Sequence, residues 1–569
     1  MAGPVPVLAL ALLVAGTVLG PVVYRRGYVL SYDMVWVPDP PLSRRVLGLD
    51  GSVPRAVPSD LLAVALSRVL PADVGQKVVL VALLALAVAG AYRLATRAVG
   101  LTPQGAATAS LVYVWSPFLA ERLVLGHWAL LLGFAALPWV LEAAAGRRVV
   151  AACAWTVLAA LGGGNAVLLT VPAAVLLLAW PGTTGRRIAG TTGYLTFCLV
   201  TALPWAVPTM LRPGGLASDP TGVQAFAAHA DGPLGTAASL ISLGGIWNAA
   251  VVPPERRNVM LAVLALVLVV VAIVVGGPGL LRRPVGPALA AGGLLGLLLA
   301  ASSGLPLVSA GVRFVVVAVP GGGVLRDAQK FLAAWVLLVA LCAGAAAERA
   351  VRTLRGRSAP AGTCLAVLLV LTPVALLPHL AWGAGGRLRP VEFPREWSRA
   401  LAAMSDDPVA GSVLVLPWGP YRRFAWNGYR VGLDPVQRIS ARDVIVDDDL
   451  PLRDRIVAGE DPRAREVARV LRGGGPLAAP LADLGVRFVV VHAAAPGAES
   501  SLSRLQDARC VRCEGDLRVV ALDPRRAAPA AGAPVPPVVV GDLLALLAAG
   551  AAVAASAVGA GRRARSTAP

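Results

Sequence analysis

Apolar residues in this chain gather into long runs separated by short, arginine-rich polar connections. A run of about 20 such residues is what a helix needs to cross the roughly 30 Å hydrocarbon core of a bilayer. The pattern predicts helices over residues 5–24, 75–97, 104–117, 125–145, 149–163, 165–181, 191–210, 258–277, 285–303, 331–348, 363–382 and 537–559. Before the last of these the period changes. Strand-like runs at Ser412–Pro417, Val444–Val446, Val486–His492 and Leu517–Leu522 alternate with helical stretches at Pro394–Met404, Arg463–Leu471 and Leu477–Leu484, which predicts a small α/β domain. The expected fold class is an α-helical polytopic membrane protein of about 12 transmembrane helices, with a small α/β extracytoplasmic domain before the last helix. The expected divisions are a membrane domain over 1–385, the α/β domain over 386–536, and a last helix with a basic tail over 537–569.

Arginines in short loops orient the spans. With the N-terminus in the cytoplasm, the inside connections carry Arg93 and Arg97, Arg147 and Arg148, Arg186 and Arg187, Arg282 and Arg283, and the group Arg349, Arg352, Arg355 and Arg357. The tail adds Arg562, Arg563 and Arg565, so both termini are expected inside the plasma membrane and the α/β domain outside it. Outside residues 386–536 most carboxylates fall in external loops, which suggests that the chemistry faces outward. The first apolar run lacks a basic segment before it and reads as an uncleaved span. The stretch Asp60–Leu70 is amphipathic and suits the membrane surface.

Composition supports this reading. Of 569 residues, 57% are hydrophobic and 15% charged, with a mean hydropathy of +0.72. Those values exclude a disordered chain, a disulfide-rich secreted scaffold and an ordinary cytosolic enzyme. The net charge of +19 would suggest nucleic acid in a soluble protein. Here the 22 arginines and 19 acids of residues 386–536 nearly cancel, so the surplus lies in the membrane part and marks topology; no nucleic-acid partner is expected. Four of the six cysteines lie in apolar runs. Cys510 and Cys513 form a lone C-x-x-C, better suited to a local disulfide or two thiols than to a metal.

Three external motifs carry candidate chemistry. Tyr32-Asp33-Met34 follows the first span, and Asp39 is the nearest second acid. A carboxylate among aromatics at a dry boundary can act as a base, whereas a plain interfacial belt would also hold Tyr and Trp there. Ser116-Pro117-Phe118 leads into Glu121-Arg122-Leu123 and Gly126-His127-Trp128; Arg122 is the kind of cation that grips phosphate, and the bland alternative is an ion pair with Glu121. Gly321-Gly322-Gly323-Val324-Leu325-Arg326-Asp327-Ala328-Gln329-Lys330-Phe331 sets two cations four residues apart after a glycine run, a pattern suited to phosphate or pyrophosphate or, more simply, to a snorkelling basic pair. Trp247, next to Asn248, offers an indole for a sugar face. Asp447-Asp448-Asp449 lacks EF-hand spacing, and the aromatic stretch Pro417–Asn427 suits either carbohydrate or docking of the domain.

With these motifs the chain resembles a family of multispanning membrane proteins of high-GC Gram-positive bacteria, similar in turn to the GT-C class of integral membrane glycosyltransferases. The resemblance covers most of the chain and includes the strand Val486–Val491 after Leu484-Gly485. It implies a polyprenyl-phosphate-linked sugar donor, a cell-envelope glycan or lipid acceptor and a base in the first external loop, which by position is Asp33. Arg122, Arg326 and Lys330 would hold the donor phosphate. Tyr32, Asp39, Glu121, His127, Trp247 and Asn248 are possible substrate-binding residues. No cofactor and no metal are expected. The alternative readings are a transporter or flippase for a lipid-linked intermediate, and a non-catalytic envelope scaffold.

Overall fold

A computed structural model describes residues 4–566 except 181–183, 214–217, 320, 453–455 and 527–531. Eight helices among the described residues are long and apolar enough to cross a membrane: Ala72–Val99, Trp128–Ala145, Gly185–Leu211, Val259–Leu281, Gly286–Gly304, Ala328–Arg355, Ala359–Leu376 and Val535–Gly561. The expected twelve is not reached. Pro4–Leu19, Pro103–Val114, Val149–Leu161 and Gly164–Ala179 contain 16, 12, 13 and 16 residues. At 1.5 Å per residue they reach about 18–24 Å, short of a roughly 30 Å hydrocarbon core. Local breakers end them: Gly20 before Pro21, Trp115-Ser116 before Pro117, and the Gly162–Gly164 run, in which Gly163 sits at φ 83°. One further helix, Pro306–Ala318, occupies what reads as loop in the sequence.

The spans differ in what surrounds them. The apolar window of Trp128–Ala145 is 83% buried inside the protein, whereas those of Val259–Leu281, Ala359–Leu376 and Val535–Gly561 are 22%, 17% and 22% buried. The first is therefore the core of the bundle, and the other three present their apolar faces outward, to lipid. Small residues allow the inner helices to touch. A Cβ on Gly105 would stand 2.9 Å from the Gly344 carbonyl oxygen, and one on Gly133 would stand 2.4 Å from that of Ala166.

Strands follow in chain order: β1 (Tyr28–Val29), β2 (Pro390–Val391), β3 (Ser412–Leu416), β4 (Tyr421–Arg423), β5 (Val431–Leu433), β6 (Val444–Ile445), β7 (Leu450–Pro451), β8 (Ile456–Val457), β9 (Val486–His492), β10 (Arg509–Arg512) and β11 (Leu517–Ala521). Five of them form one sheet in the order β10-β11-β9-β3-β6. Strands β9, β3 and β6 run parallel, and β11 and β10 are antiparallel additions at one side. Every residue of β3 and β9 is buried, as befits parallel strands covered on both faces. The period of two assigns the faces. Val413 and Val415 meet Trp397 and Leu401 of helix Arg395–Ser405, while Leu414 and Leu416 meet Val467 and Leu481 of the opposite layer. Cys510 and Cys513 are joined by a disulfide at β10.

This sheet domain is laced to the membrane part. Strand β1, just after the first helix, pairs antiparallel with β2. The N–H of Tyr32 donates to the Val431 carbonyl (2.7 Å), and the N–H of Leu433 donates to that of Tyr32 (2.9 Å). Helix Ser59–Ser67, expected on the membrane surface, has Asp60 buried and ion-paired to Arg438 at 3.1 Å. The domain is stapled within by Asp434. Its Oδ2 accepts Arg422 Nε (2.9 Å) and lies 2.7 Å from His492 Nε2, and its Oδ1 accepts the Val436 N–H (3.0 Å).

Burial opposes the Asp434 charge, but His492, Arg422 and these hydrogen bonds prevail and hold its carboxyl at about 2, against an ordinary 3.8. Because the folded value lies below the unfolded one, the stabilisation is present above about pH 4 and is lost as pH falls through about 2; it amounts to about 2 kcal/mol. Replacing Asp434 by Ala strands two buried partners and should cost about 3–5 kcal/mol at neutral pH. Hydrogen-exchange protection of β3 and β9 in the full chain measures both effects.

Candidate active site

The second motif builds the floor of the site. Ser116 caps helix Pro117–Val124 by accepting the Leu119 N–H. The helix stops at Leu125-Gly126, and His127 begins helix Trp128–Ala145. Gly126 has φ 82°, and a Cβ there would meet the Met34 nitrogen at 2.2 Å and the Ser31 oxygen at 2.3 Å. The turn carrying Asp33 thus lies directly on this glycine. It is pinned by the Asp33 N–H to the Leu125 carbonyl (3.2 Å) and by Ser31 Oγ to that of Val124 (2.6 Å).

Asp33 stands between two side chains. Tyr421 Oη donates to its Oδ1 at 3.0 Å, and His127 Nε2 lies 3.3 Å from its Oδ2. On the other side of the imidazole, Nδ1 lies 3.0 Å from Arg122 Nη1. A guanidinium only donates, so Nδ1 must accept and the ring proton sits on Nε2, facing Asp33. Burial works against the Asp33 charge; the hydrogen bonds from His127 and from the Tyr421 hydroxyl, with the Arg438 charge, more than offset it, so the carboxyl lies below its ordinary value.

Arg122 is fully buried and does not reach the cavity. Its guanidinium forks onto Asp327, with Nη2 2.9 Å from Oδ1 and Nη1 bonded to Oδ2, and Nη2 also bonds Gln329 Oε1. The expectation that Arg122 meets a donor phosphate is therefore corrected: all its charge is directed at Asp327, and its geometric effect falls on His127. Asp327, a quarter exposed, stands on the cavity wall.

The cavity has a volume of about 480 Å³ and lies between the membrane helices and the sheet domain. Asp33, His127, Trp247, Arg326 and Lys330 all line it, so the three external motifs converge there. Lys330 Nζ donates to Asn165 Oδ1 (2.6 Å) and to the Val324 carbonyl. Both acceptors are neutral, and the carboxylate whose charge it feels is Asp327, which is also engaged by Arg122. Arg326 is partly neutralised by Glu460 of the sheet domain, 3.0 Å away, and its guanidinium lies 5.8 Å from the Phe226 ring centre. Trp247 packs edge-on against Phe226 at 4.9 Å, and its indole N–H is buried without a protein partner.

Four expected substrate contacts lie off this wall. Tyr32 is committed through its main chain to β5, and its ring lies edge-on to Tyr421 at 6.2 Å. Asp39 is exposed elsewhere, and Asn248 closes a local turn onto the Ala250 N–H (3.0 Å). Glu121 is fully buried; burial and the neighbouring Asp231 push its carboxyl well above the usual range. The carboxylates of Asp448 and Asp449 accept main-chain N–H groups at 459–461, and the described residues hold no cluster of three or more acidic, His or Cys groups arranged for a metal. Sequence reading missed Tyr421 as a site residue, and also Arg55, an exposed cation on the wall without an ion pair among the described residues. The early signal for Tyr421 was the aromatic–arginine stretch at 417–427; Arg55 had none.

No family model matches the chain, and no curated protein matches it. Solved structures do. The single-particle structure of the arabinofuranosyltransferase AftD from Mycobacteria aligns with a TM-score of 0.58 at 16% identity, covering 91% of this chain and 39% of that one. Two structures of its R1389S mutant align with TM-scores of 0.59 and 0.55 at 16% and 17% identity, covering 92% of this chain and 41% and 42% of theirs. The chain spans about two fifths of the length of these neighbours. It is a multispanning membrane protein whose fold is similar to that of this arabinofuranosyltransferase.

Proposed function

We propose that the chain is an inverting glycosyltransferase. It moves a sugar from a polyprenyl-phosphate donor to a hydroxyl of a cell-envelope glycan or lipid on the outer face of the plasma membrane. The observation that carries this reading is the Asp33 carboxylate, held between His127 and Tyr421 on a cavity that also presents Lys330. A carboxylate base and a cation on the walls of one cavity are what proton abstraction and phosphate departure require together.

In the proposed step Asp33 takes the proton of the acceptor hydroxyl. The oxygen attacks the anomeric carbon from the face opposite the phosphate, the carbon–oxygen bond to phosphate breaks, and the polyprenyl phosphate leaves with the electron pair. Lys330, with Arg326, stabilises the charge that grows on the departing oxygen. His127 keeps the Asp33 carboxylate oriented, and the Arg122–Asp327 fork keeps His127 in the tautomer that donates to it. The arginine-rich connections set both termini in the cytoplasm, residues 386–536 form the external domain, and its acidic wall faces the acceptor. An arabinofuranosyl lipid donor is the first to try, since that is the sugar in the name of the structural neighbour.

Asp33→Asn should lower transfer from a lipid-linked sugar by at least about 100-fold at unchanged protein level, with donor accumulating in a deletion strain. Unaltered envelope glycans, where the deletion itself alters them, would overturn the reading. Asp327→Asn leaves a buried guanidinium uncompensated and should lower stability by about 3–5 kcal/mol, read as thermal unfolding of the purified chain. Adding Arg122→Leu to it should recover part of that loss, a coupling that a double-mutant cycle measures.

A further inference from the structure

We propose that Tyr421, supplied by the sheet domain, is a positioning residue for the Asp33 carboxylate, so that the site is complete only with this domain docked. The assignment rests on the reading of Asp33 as the base. Tyr421 opens β4, and its partner across the hairpin is Leu433 on β5. The same β5 segment is zipped by two main-chain hydrogen bonds to Tyr32, the residue before Asp33. From the other side Arg422 is held by Asp434 and by the Pro417 carbonyl (2.6 Å). The phenol is therefore fixed relative to both its own domain and the turn it serves. Its ring is packed edge-on against Tyr32, and its hydroxyl reaches Asp33 Oδ1 at 3.0 Å.

The groups facing Asp33 are His127 from the membrane helices, Tyr421 from β4, and Arg438 from the short helix after β5. Burial and the Asp33 charge keep the Tyr421 phenol protonated, so it acts as a donor only. A hydrogen bond to an ionised carboxylate favours the charged form, and its loss lets burial raise the proton affinity. The expected size is about one pH unit, the scale of one hydrogen bond to a charged group.

The test is an infrared titration of the purified full chain, with Asp33→Asn identifying the carboxyl band. Tyr421→Phe should move the Asp33 titration up by about one pH unit. Replacing Tyr421 by 3,5-difluorotyrosine keeps the shape, strengthens the donor and should move it down, which also covers the case in which Tyr421→Phe folds poorly. A tyrosine that merely packs would move the titration in neither variant, and that result overturns the proposal. The base reading is checked separately by transfer in Asp33→Asn. Loss of transfer there with an unmoved titration leaves the base and removes Tyr421's role. Retained transfer removes both.

Discussion

A buried guanidinium governs this site. Arg122 has no exposure at all, and an unpaired charge in such a place is not tolerated. Its two Nη groups are met by Asp327, Gln329 and His127, while its buried Nε–H has no hydrogen-bond partner among the described residues. Asp327 arrives from just before the Ala328–Arg355 span, Gln329 from its first turn, and His127 from five residues on. Satisfying Arg122 thus draws the second and third motifs together and leaves His127 with one proton facing Asp33. Removing the charge pair in favour of apolar residues would leave a packed core but no reason for His127 to hold that tautomer.

The second constraint is the seam between the membrane part and the sheet domain. It is built from main-chain hydrogen bonds at Tyr32, a two-residue strand pair at β1 and β2, and the Asp60–Arg438 ion pair. Main-chain pairing fixes register, so the segment that carries Asp33 has one place to lie. The cavity takes one wall from each side of the seam. The membrane side contributes Lys330 and His127, and the domain side contributes Tyr421, Asp447 and Glu460. The carboxyl ends of β3 and β6 open toward it, the usual location for ligands on parallel sheets. Glu460 reaches across to Arg326 and Arg212, so the domain also trims the charge of the opposite wall.

Hydrophobic runs are a local property, and the sequence read alone therefore located all eight full-length spans, with ends displaced by up to 7 residues. It overcounted where Gly and Pro cut a run short, as at Ser116-Pro117 and Gly162–Gly164, because hydropathy does not register the break in hydrogen bonding. The four principal strands were legible because β3 and β9 are unbroken apolar runs bounded by turns. The two-residue strands β1 and β2 were not, since pairing over so short a length leaves no pattern. Asp33, His127, Lys330, Arg326 and Trp247 were recognisable as polar or aromatic residues set against apolar or external context, and all five line the cavity.

What the sequence by itself determined is the membrane-spanning class, the places of the eight long helices and four principal strands, and the three segments that bear chemistry, each a consequence of composition within a short window. The tertiary structure alone decided the roles. Arg122 and Asp327 are 205 residues apart, and Tyr421 and Asp33 are 388 apart. Whether a cation meets a phosphate or a carboxylate depends on which partner burial brings within about 3 Å, and no local pattern encodes that distance.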